Sequence, residues 1–398
     1  MEDKNRKIVL VSYQPLTVKI EQDFYLGRAI QEGFEVAYWD LTQVYNKGLK
    51  LHDSLDRDYI KKFSTFRELE AAIQQSEKET WFILFMTYEH KLVRLMRMFT
   101  VYNRQTVFFA RGMQPFPLLH EPFLKKLYHK FKFITNFRYV RNFLGNRRAL
   151  LVKQKGWIKP HDLAFCAGSE GYNTIGIGAG IDARRATLVP VNAIDYDKMM
   201  AIRENETRLL DFKYCVFLDI YLPHHPDLKI TKVAQVDPGR YYASLNRFFR
   251  TVEEQYKVKV VIAAHPKADY TENPFEGRMT IKYKTAELVK DCEFVLTHHS
   301  TSVSFGVLFE KPMLFFYESE INRLYKYSYV PLIATFAAVL NCTVYNIDES
   351  EQWEVRPVDK EKYTAYKYKY LTSPETAECL TEDIVMRTFK TVKASQNG

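Results

Sequence analysis

Short apolar runs of β-type composition alternate with amphipathic, helix-type segments along most of this chain. Such alternation predicts an α/β protein with parallel sheets covered by helices on both faces. The predicted strands are Lys7–Tyr13, Phe34–Leu41, Trp81–Met86, Thr106–Ala110, Asp162–Ala167, Ala186–Val191, Tyr214–Asp219, Val258–Ala264, Glu293–Thr297 and Met313–Tyr317. The predicted helices include Glu21–Gly33, Ser64–Gln75 with Ser64 as N-cap, Lys91–Tyr102, Gly239–Tyr256, Thr285–Asp291, Ser302–Glu310, Ile321–Leu340 and Glu378–Lys393.

The length of 398 residues exceeds what one ordinary hydrophobic core holds, so two domains are expected. Charged residues dominate Asn192–Asp211, which places the boundary near residue 200. We therefore predict two Rossmann-like, doubly wound domains, residues 1–200 and 201–398, that face each other across a cleft. Ligands of such folds bind at the carboxyl ends of the strands.

The five cysteines are scattered and form no CxxC pair, which favours reduced thiols in a cytoplasmic protein. The first residues become a short strand and have no signal-peptide pattern. No run of 18 apolar residues exists, so no membrane-spanning helix is expected. The expected location is the cytoplasm, with a peripheral position at the inner membrane.

The net charge of +9 is concentrated in one segment, residues 121–160, which holds eleven Lys or Arg and a single acid, Glu121, so that the rest of the chain is nearly neutral. Aromatic and aliphatic residues are interleaved with the cations. This pattern predicts a membrane or acceptor surface that meets anionic lipid headgroups, and a core helix pair with a solvated basic face is the alternative. RNA binding is not expected, because no RNA-binding signature accompanies the charge. The residues named for this surface are Lys125, Lys126, Lys130, Lys132, Arg138 and Arg141.

Two predicted strands of the second half end in histidine. His265 and Lys267 follow the first on either side of Pro266, and His298, His299, Ser300, Thr301 and Ser302 follow the second at the start of a predicted helix. Histidine, lysine, hydroxyls and the N–H groups of a helix start can together hold a phosphate. A phosphorylated or nucleotide ligand is therefore the first hypothesis, although serine and threonine at a helix start serve more often as simple caps.

Three carboxylates follow other predicted strands. Asp219 ends a buried strand, Asp227 lies beside His224 and His225 in the next loop, and Glu170 lies in a Gly-Ser-Glu-Gly turn. Each could act as a base or a nucleophile, with Asp227 preferred. Asp219 could instead cap a turn, and the loop around Glu170 could be a plain tight turn. A metal site is disfavoured because no tight ligand spacing appears.

Three stretches resemble a known enzyme group: FLD-x-YLP-x-HPD from Phe217, IAAHPK from Ile262 and LTHHSTSVSFGVLFEKP from Leu296. They are similar to bacterial retaining β-Kdo transferases of capsule and O-antigen synthesis, and more loosely to bacterial sialyltransferases of GT-B type. The resemblance covers roughly residues 214–318.

The resemblance implies a GT-B fold with a CMP-sugar donor bound by the C-terminal domain. It implies that His265 and Ser300–Ser302 hold the CMP phosphate and ribose, with Glu310 and Lys311 near the nucleoside. An aspartate would attack the anomeric carbon and form a glycosyl-enzyme, with Asp227 the first choice and Asp219 the second. No metal cofactor is expected.

The predicted function is transfer of Kdo from CMP-Kdo to a lipid-linked or growing surface polysaccharide. Three alternatives stay open: an inverting transferase of sialic or another nonulosonic acid, a GT-B-shaped nucleotide-sugar isomerase or hydrolase, and a non-catalytic binding subunit. The predicted partners are the nucleotide-sugar donor, the glycolipid or polysaccharide acceptor and an anionic membrane, with no nucleic acid.

Overall fold

The computed structural model describes residues 6–49, 54–116, 137–173, 178–224, 234–350 and 352–392. The chain divides into two compact units. The first contains the described residues up to Met113, those from 137 to Asn192, and those from Ser373 onward. The second contains those from Ala193 to Thr372, together with Gln114 to Phe116.

The first unit is built on a seven-stranded parallel sheet in the order β3-β2-β1-β4-β5-β6-β7. Its strands are β1 Lys7–Ser12, β2 Glu35–Asp40, β3 Ile60–Lys62, β4 Trp81–Leu84, β5 Gln105–Ala110, β6 Leu163–Ala167 and β7 Thr187–Val191. Its helices are α1 Val18–Asp23, α2 Leu26–Gln31, α3 Thr42–Tyr45, α4 Phe66–Gln75, α5 Val93–Val101, α6 Phe137–Gln154 and α7 Ala179–Arg185.

The second unit is built on a six-stranded parallel sheet in the order β10-β9-β8-β11-β12-β13. Its strands are β8 Tyr214–Leu218, β9 Lys259–Ala264, β10 Thr280–Lys282, β11 Val295–Thr297, β12 Met313–Tyr317 and β13 Val344–Asn346. Its helices are α8 Ile194–Ile202, α9 Pro238–Tyr256, α10 Thr285–Asp291, α11 Val303–Leu308, α12 Ser319–Tyr325, α13 Tyr329–Val339 and α14 Lys360–Tyr366. A π-helical turn, Lys367–Leu371, and helix α15, Thr381–Thr391, follow.

Both sheets have the doubly wound strand order, in which the chain starts at the centre and winds outward to both sides. The four central residues of strand β1 are apolar because both faces of the strand are covered: Ile8 and Leu10 pack into one cluster, and Val9 and Val11 pack into another. A parallel strand covered on both faces needs such a continuous apolar run. The predicted α/β class and the pair of Rossmann-like sheets are confirmed.

Helix α9 shows how a helix covers the second sheet. Tyr241, Leu245, Phe248 and Val252 recur at intervals of three or four residues and are buried in one cluster with strands of the sheet. The helix begins where expected, because the side chain of Asp237 accepts the N–H of Arg240.

Two predicted helices are each interrupted. The predicted helix Glu21–Gly33 consists of α1 and α2, because Tyr25 between them has a left-handed backbone with φ of 56°. The predicted helix Ile321–Leu340 consists of α12 and α13, separated at residues 326–328. The N-cap of α4 is Thr65, whose side chain accepts the N–H of Glu68, and is not Ser64.

The domain division differs from the predicted boundary at residue 200. The chain leaves the first unit at Asn192 and returns to it at Ser373. Helix α15 therefore belongs to the first unit, where Ile384, Met386 and Phe389 join the core cluster of β1, β4 and β6. Sequence periodicity can predict this helix but cannot show which core receives it.

Replacement of Phe389 by alanine should destabilise the first unit. The ring is 1% exposed and packs against Phe34, Trp81 and Phe165, so its loss leaves a cavity that costs about 3–5 kcal/mol. Urea unfolding measures the loss, and Arg387→Ala on the exposed side of the same helix is the control. Equal stabilities for the two variants would contradict the assignment of α15 to this core.

Candidate functional site

The strand order of the second sheet reverses beside β8, with β9 on one side and β11 on the other. Leu218, near the end of β8, is in register with Ala263 of β9 and with Thr297 of β11. The residues that follow these three strands therefore emerge side by side at the carboxyl edge. This reversal point is where open α/β sheets bind their ligands.

Asp219 ties the ends of β8 and β9 together. One carboxylate oxygen accepts the N–H of Tyr221 at 2.8 Å. The other accepts the N–H of His265 at 3.2 Å and the hydroxyl of Tyr270 at 2.7 Å. The residue is 5% exposed. The Asp219 carboxylate therefore holds the loops after β8 and β9 in place. This role agrees with the alternative prediction that Asp219 caps a turn.

His265 is half-buried and has a defined tautomer. Its Nδ1 accepts the backbone N–H of Lys267 at 3.1 Å. Since an accepting nitrogen carries no proton, the neutral ring carries its proton on Nε2 and can donate from that atom. Lys267 is exposed beside it. This loop places a hydrogen-bond donor and a cation at the rim of the sheet.

His298 is a core residue, which corrects the prediction that it contacts the nucleotide-sugar donor. It is 0% exposed, and its Nδ1 donates to the carbonyl of Phe316 at 2.8 Å. Its Nε2 faces the hydroxyl of Tyr241 at 3.0 Å, so that nitrogen accepts. Burial lowers the pKa of His298 to about 4, which keeps the imidazole neutral at pH 7.

His299 lies one residue further out and is half-buried. Its ring packs edge-on against Phe336 at 4.6 Å, and its backbone carbonyl accepts the hydroxyl of Tyr329 at 3.1 Å. Burial lowers the pKa of His299 to about 4. Within the described residues, its buried Nε2 has no hydrogen-bond partner, so this ring can still offer a polar contact.

The start of α11 differs from the predicted anion site. The N–H groups of Val303, Ser304 and Phe305 donate to the carbonyls of Ser300, Thr301 and Ser302. The N–H of Ser302 donates to Oγ of Ser300 at 3.2 Å. These N–H groups are therefore already used, and a phosphate here would meet the exposed Thr301 and the half-buried Ser302 through their hydroxyls.

Glu310 and Lys311 lie at the wrong end of the sheet, which corrects their assignment to the donor site. They occupy the turn between α11 and β12 and thus precede a strand. In a parallel sheet that turn lies at the amino edge, opposite the residues that follow β8, β9 and β11. Glu310 is exposed and pairs with Lys360 at 3.8 Å, and the carbonyl of Lys311 accepts the hydroxyl of Tyr363 at 2.9 Å.

Glu318 was missed, although it follows β12 directly at the carboxyl edge. It is 1% exposed, and its carboxylate accepts the N–H groups of Glu320 and Ile321 at the start of α12. Burial is the main cause that raises the pKa of Glu318 to about 7, with smaller contributions from Asp348 and Glu320. The rule that strand-end residues line the ligand edge would have found it.

Several predicted residues lie elsewhere or outside the described part of the chain. His225, Asp227, Lys125, Lys126, Lys130 and Lys132 lie outside the described residues, and Arg138 lies in α6 without a described side chain. Glu170, in the first unit, follows β6 and accepts the side-chain amide of Asn173 at 2.7 Å. Among the residues described, no three His, Cys, Asp or Glu side chains group as metal ligands, and no helix is both long and apolar enough to cross a bilayer.

Comparison with known proteins gives matches in structure only. No protein-family model and no curated protein sequence matches the chain. The wall teichoic acid polymerase TagF matches with 11% identity and a TM-score of 0.48, over 97% of this chain and 90% of that one.

Two other solved structures are similar over most of their length. MnaA from S. aureus with UDP has 12% identity and a TM-score of 0.44, over 97% of this chain and 96% of its own. The glycotransferase of kitacinnamycin has 11% identity and a TM-score of 0.43, over 96% of this chain and 94% of its own. At these identities and scores the likenesses carry no argument about what this chain binds.

Removal of the Tyr270 hydroxyl should destabilise the second unit. Tyr270→Phe takes away one donor from the buried Asp219 carboxylate, a loss of about 1–3 kcal/mol in the free energy of unfolding. Urea unfolding measures it, with Tyr283→Phe as the control because Tyr283 is 74% exposed. An unchanged Tyr270→Phe variant would show that Asp219 does not depend on this bond.

The buried Glu318 should make stability depend on pH. Its pKa is about 7 in the folded protein against 4.5 for the unfolded chain, so the unfolded chain releases the proton first as the pH rises. The free energy of unfolding therefore falls by up to about 3 kcal/mol as the pH rises from the lower of these two pKa values to the higher. In Glu318→Gln this loss should vanish, so the variant gains stability relative to the original protein as the pH rises. Chemical unfolding at several pH values tests this, with exposed Glu349→Gln as the control.

Proposed function

We propose that the chain is a nucleotide-sugar-dependent glycosyltransferase of GT-B type whose second unit binds the donor. One observation carries this proposal: the loops after β9, β8 and β11 meet at the reversal point of a doubly wound sheet. They bring His265, Lys267 and the Thr301 and Ser302 hydroxyls to one edge. This set suits the phosphate and ribose of a nucleotide.

The proposed donor is CMP-Kdo, and the proposed acceptor is a lipid-linked or growing surface polysaccharide. The sequence resemblance supports this donor, and the protonated Nε2 of His265 supports a contact with the CMP phosphate. As the bond between the anomeric carbon and the phosphate oxygen breaks, Nε2–H and the Lys267 ammonium would stabilise the negative charge on the leaving CMP. The proposal needs no metal for that step.

Retention of configuration by two successive displacements would require a nucleophile of the enzyme, and a carboxylate can serve as one. Asp227 is proposed for this role, because Asp219 is buried and its oxygens accept three donors that hold the loops. The Asp227 carboxylate would attack the anomeric carbon and release CMP. The acceptor hydroxyl would then attack the same carbon, lose its proton and free the carboxylate. An inverting transferase would instead use one direct displacement by the acceptor.

Calorimetry with CMP, UDP and GDP tests the donor site directly. His265→Ala and Lys267→Ala should each weaken the binding of the preferred nucleotide about 10–100-fold, because each removes a charge-assisted contact. Lys311→Ala is the matched control, since it removes a lysine at the opposite edge of the same sheet. The donor site would be contradicted if none of the three nucleotides bound. It would also be contradicted if Lys311→Ala weakened nucleotide binding as much as His265→Ala and Lys267→Ala.

Turnover separates the reaction classes. With CMP-Kdo as donor, a transferase should release CMP only when an acceptor is present, apart from slow hydrolysis of the donor. A metal chelator should leave the rate of CMP release unchanged. The configuration of the product by NMR distinguishes retention from inversion. Nucleotide release or sugar conversion without acceptor would instead indicate a hydrolase or isomerase. Full turnover by Asp227→Ala would remove that residue from the mechanism.

A further inference from the structure

Helix α6 carries basic and large apolar residues on one exposed side. Leu144 is 60% exposed and Leu151 is 55% exposed. Arg141, Arg148 and Lys155 are exposed as well, and with the two leucines they recur at intervals of three or four residues. That spacing places the four residues from Arg141 to Leu151 along one stripe of the helix, and Lys155 follows directly after its last residue. The helix itself contains no acidic residue.

The opposite side of α6 is fixed to the first unit. Ala149 is 1% exposed, and its carbonyl accepts the hydroxyl of Tyr88 at 2.8 Å. Lys153 is 4% exposed and forms an ion pair with Asp182. The charge of Lys153 is therefore neutralised inside the unit, whereas the stripe faces outward. The orientation of the helix is set by buried contacts and not by the exposed residues.

A second basic element adjoins α6. The turn His90–Leu92 before α5 contacts the helix, because the N–H of His90 donates to the side chain of Asn146 at 3.0 Å. Beside it lies an open groove of about 550 Å³, lined by His90, Lys91, Arg94, Arg97, Val101 and neighbouring residues. Arg94 and Arg97 are exposed, and Val101 is 69% exposed.

The acids at this surface are few in the described part of the chain. Glu70 lines the groove, and Glu89 pairs with Lys91 at 3.4 Å. The other exposed cations named for α5 and α6 have no ion pair with a described residue. An occupant of this surface must therefore supply negative charge and also cover exposed leucine side chains.

We infer that this α5–α6 surface binds the face of an anionic lipid bilayer. Lipid phosphates complement the arginines, and the acyl boundary accepts Leu144 and Leu151, which protrude between the cations. RNA would satisfy the charge but would leave both leucines in water. The surface lies in the first unit and does not depend on the donor site proposed for the second.

Vesicle flotation tests the inference with phosphatidylcholine vesicles, with and without phosphatidylglycerol. The protein should float only with the anionic vesicles, and added salt should weaken the binding. In the variant Arg141→Gln, Arg148→Gln, Lys155→Gln, each lost cation should lower binding about fivefold. Leu144→Gln with Leu151→Gln should also weaken binding, but without changing its salt dependence.

Matched variants keep the result interpretable. The control removes three exposed cations of the second unit by Arg208→Gln, Lys282→Gln and Lys326→Gln, and it should bind vesicles like the original protein. Thermal unfolding checks that every variant is folded, and nucleotide calorimetry checks the other unit. The inference would be overturned if the control variant lost as much vesicle binding as the α6 variant, or if the protein bound only the neutral vesicles. It would also be overturned if the protein bound single-stranded RNA but no vesicles.

Self-association is the remaining alternative occupant of this surface. Sedimentation should give the same molecular mass for the original protein and for Leu144→Gln with Leu151→Gln. If the double variant converts an oligomer to a monomer while vesicle binding is absent, the surface joins copies of this chain and the membrane inference is wrong.

Discussion

Parallel pairing of strands imposes the constraint on which the rest of the second unit depends. All carboxyl ends in such a sheet lie at one edge, so the loops after β8, β9 and β11 must meet there. Asp219 fixes two of these loops, because its carboxylate accepts N–H groups from the loop after β8 and from the loop after β9. This carboxylate positions the His265 loop, and the backbone N–H of Lys267 sets the tautomer of the His265 ring. Local chemistry at the edge thus rests on long-range pairing.

Burial separates histidines that look alike in the sequence. His298 continues the interior, with both ring nitrogens used by a carbonyl and a tyrosine hydroxyl. His299, the next residue, is only half-buried, and His265 keeps its Nε2 proton at the rim. Pairs of adjacent histidines therefore need not act together. A shift of one residue at a strand end decides whether the histidine uses both ring nitrogens inside the core or lies half-buried.

Much of the architecture could be predicted because parallel strands are continuous apolar runs, as in Trp81–Leu84 and Val295–Thr297. The positions of His265 and Ser300 at one edge also followed from that pattern. The misplacement of Lys311 was avoidable, since a residue between a helix and the next strand lies at the amino edge. The burial of His298 could not be predicted from the sequence, because it depends on Phe316 and on a tyrosine 57 positions away.

The return of the chain to its first unit has a consequence for how the protein is made. A ribosome releases β1 early, but it releases α15 only after the whole of Ala193–Thr372 has been synthesised. Until then the hydrophobic groove that receives Phe389, beside Phe34 and Trp81, has no native cover. The nascent first unit is thus incomplete while the second can already fold. The core of the first unit can therefore be completed only after the whole of the second unit has been synthesised.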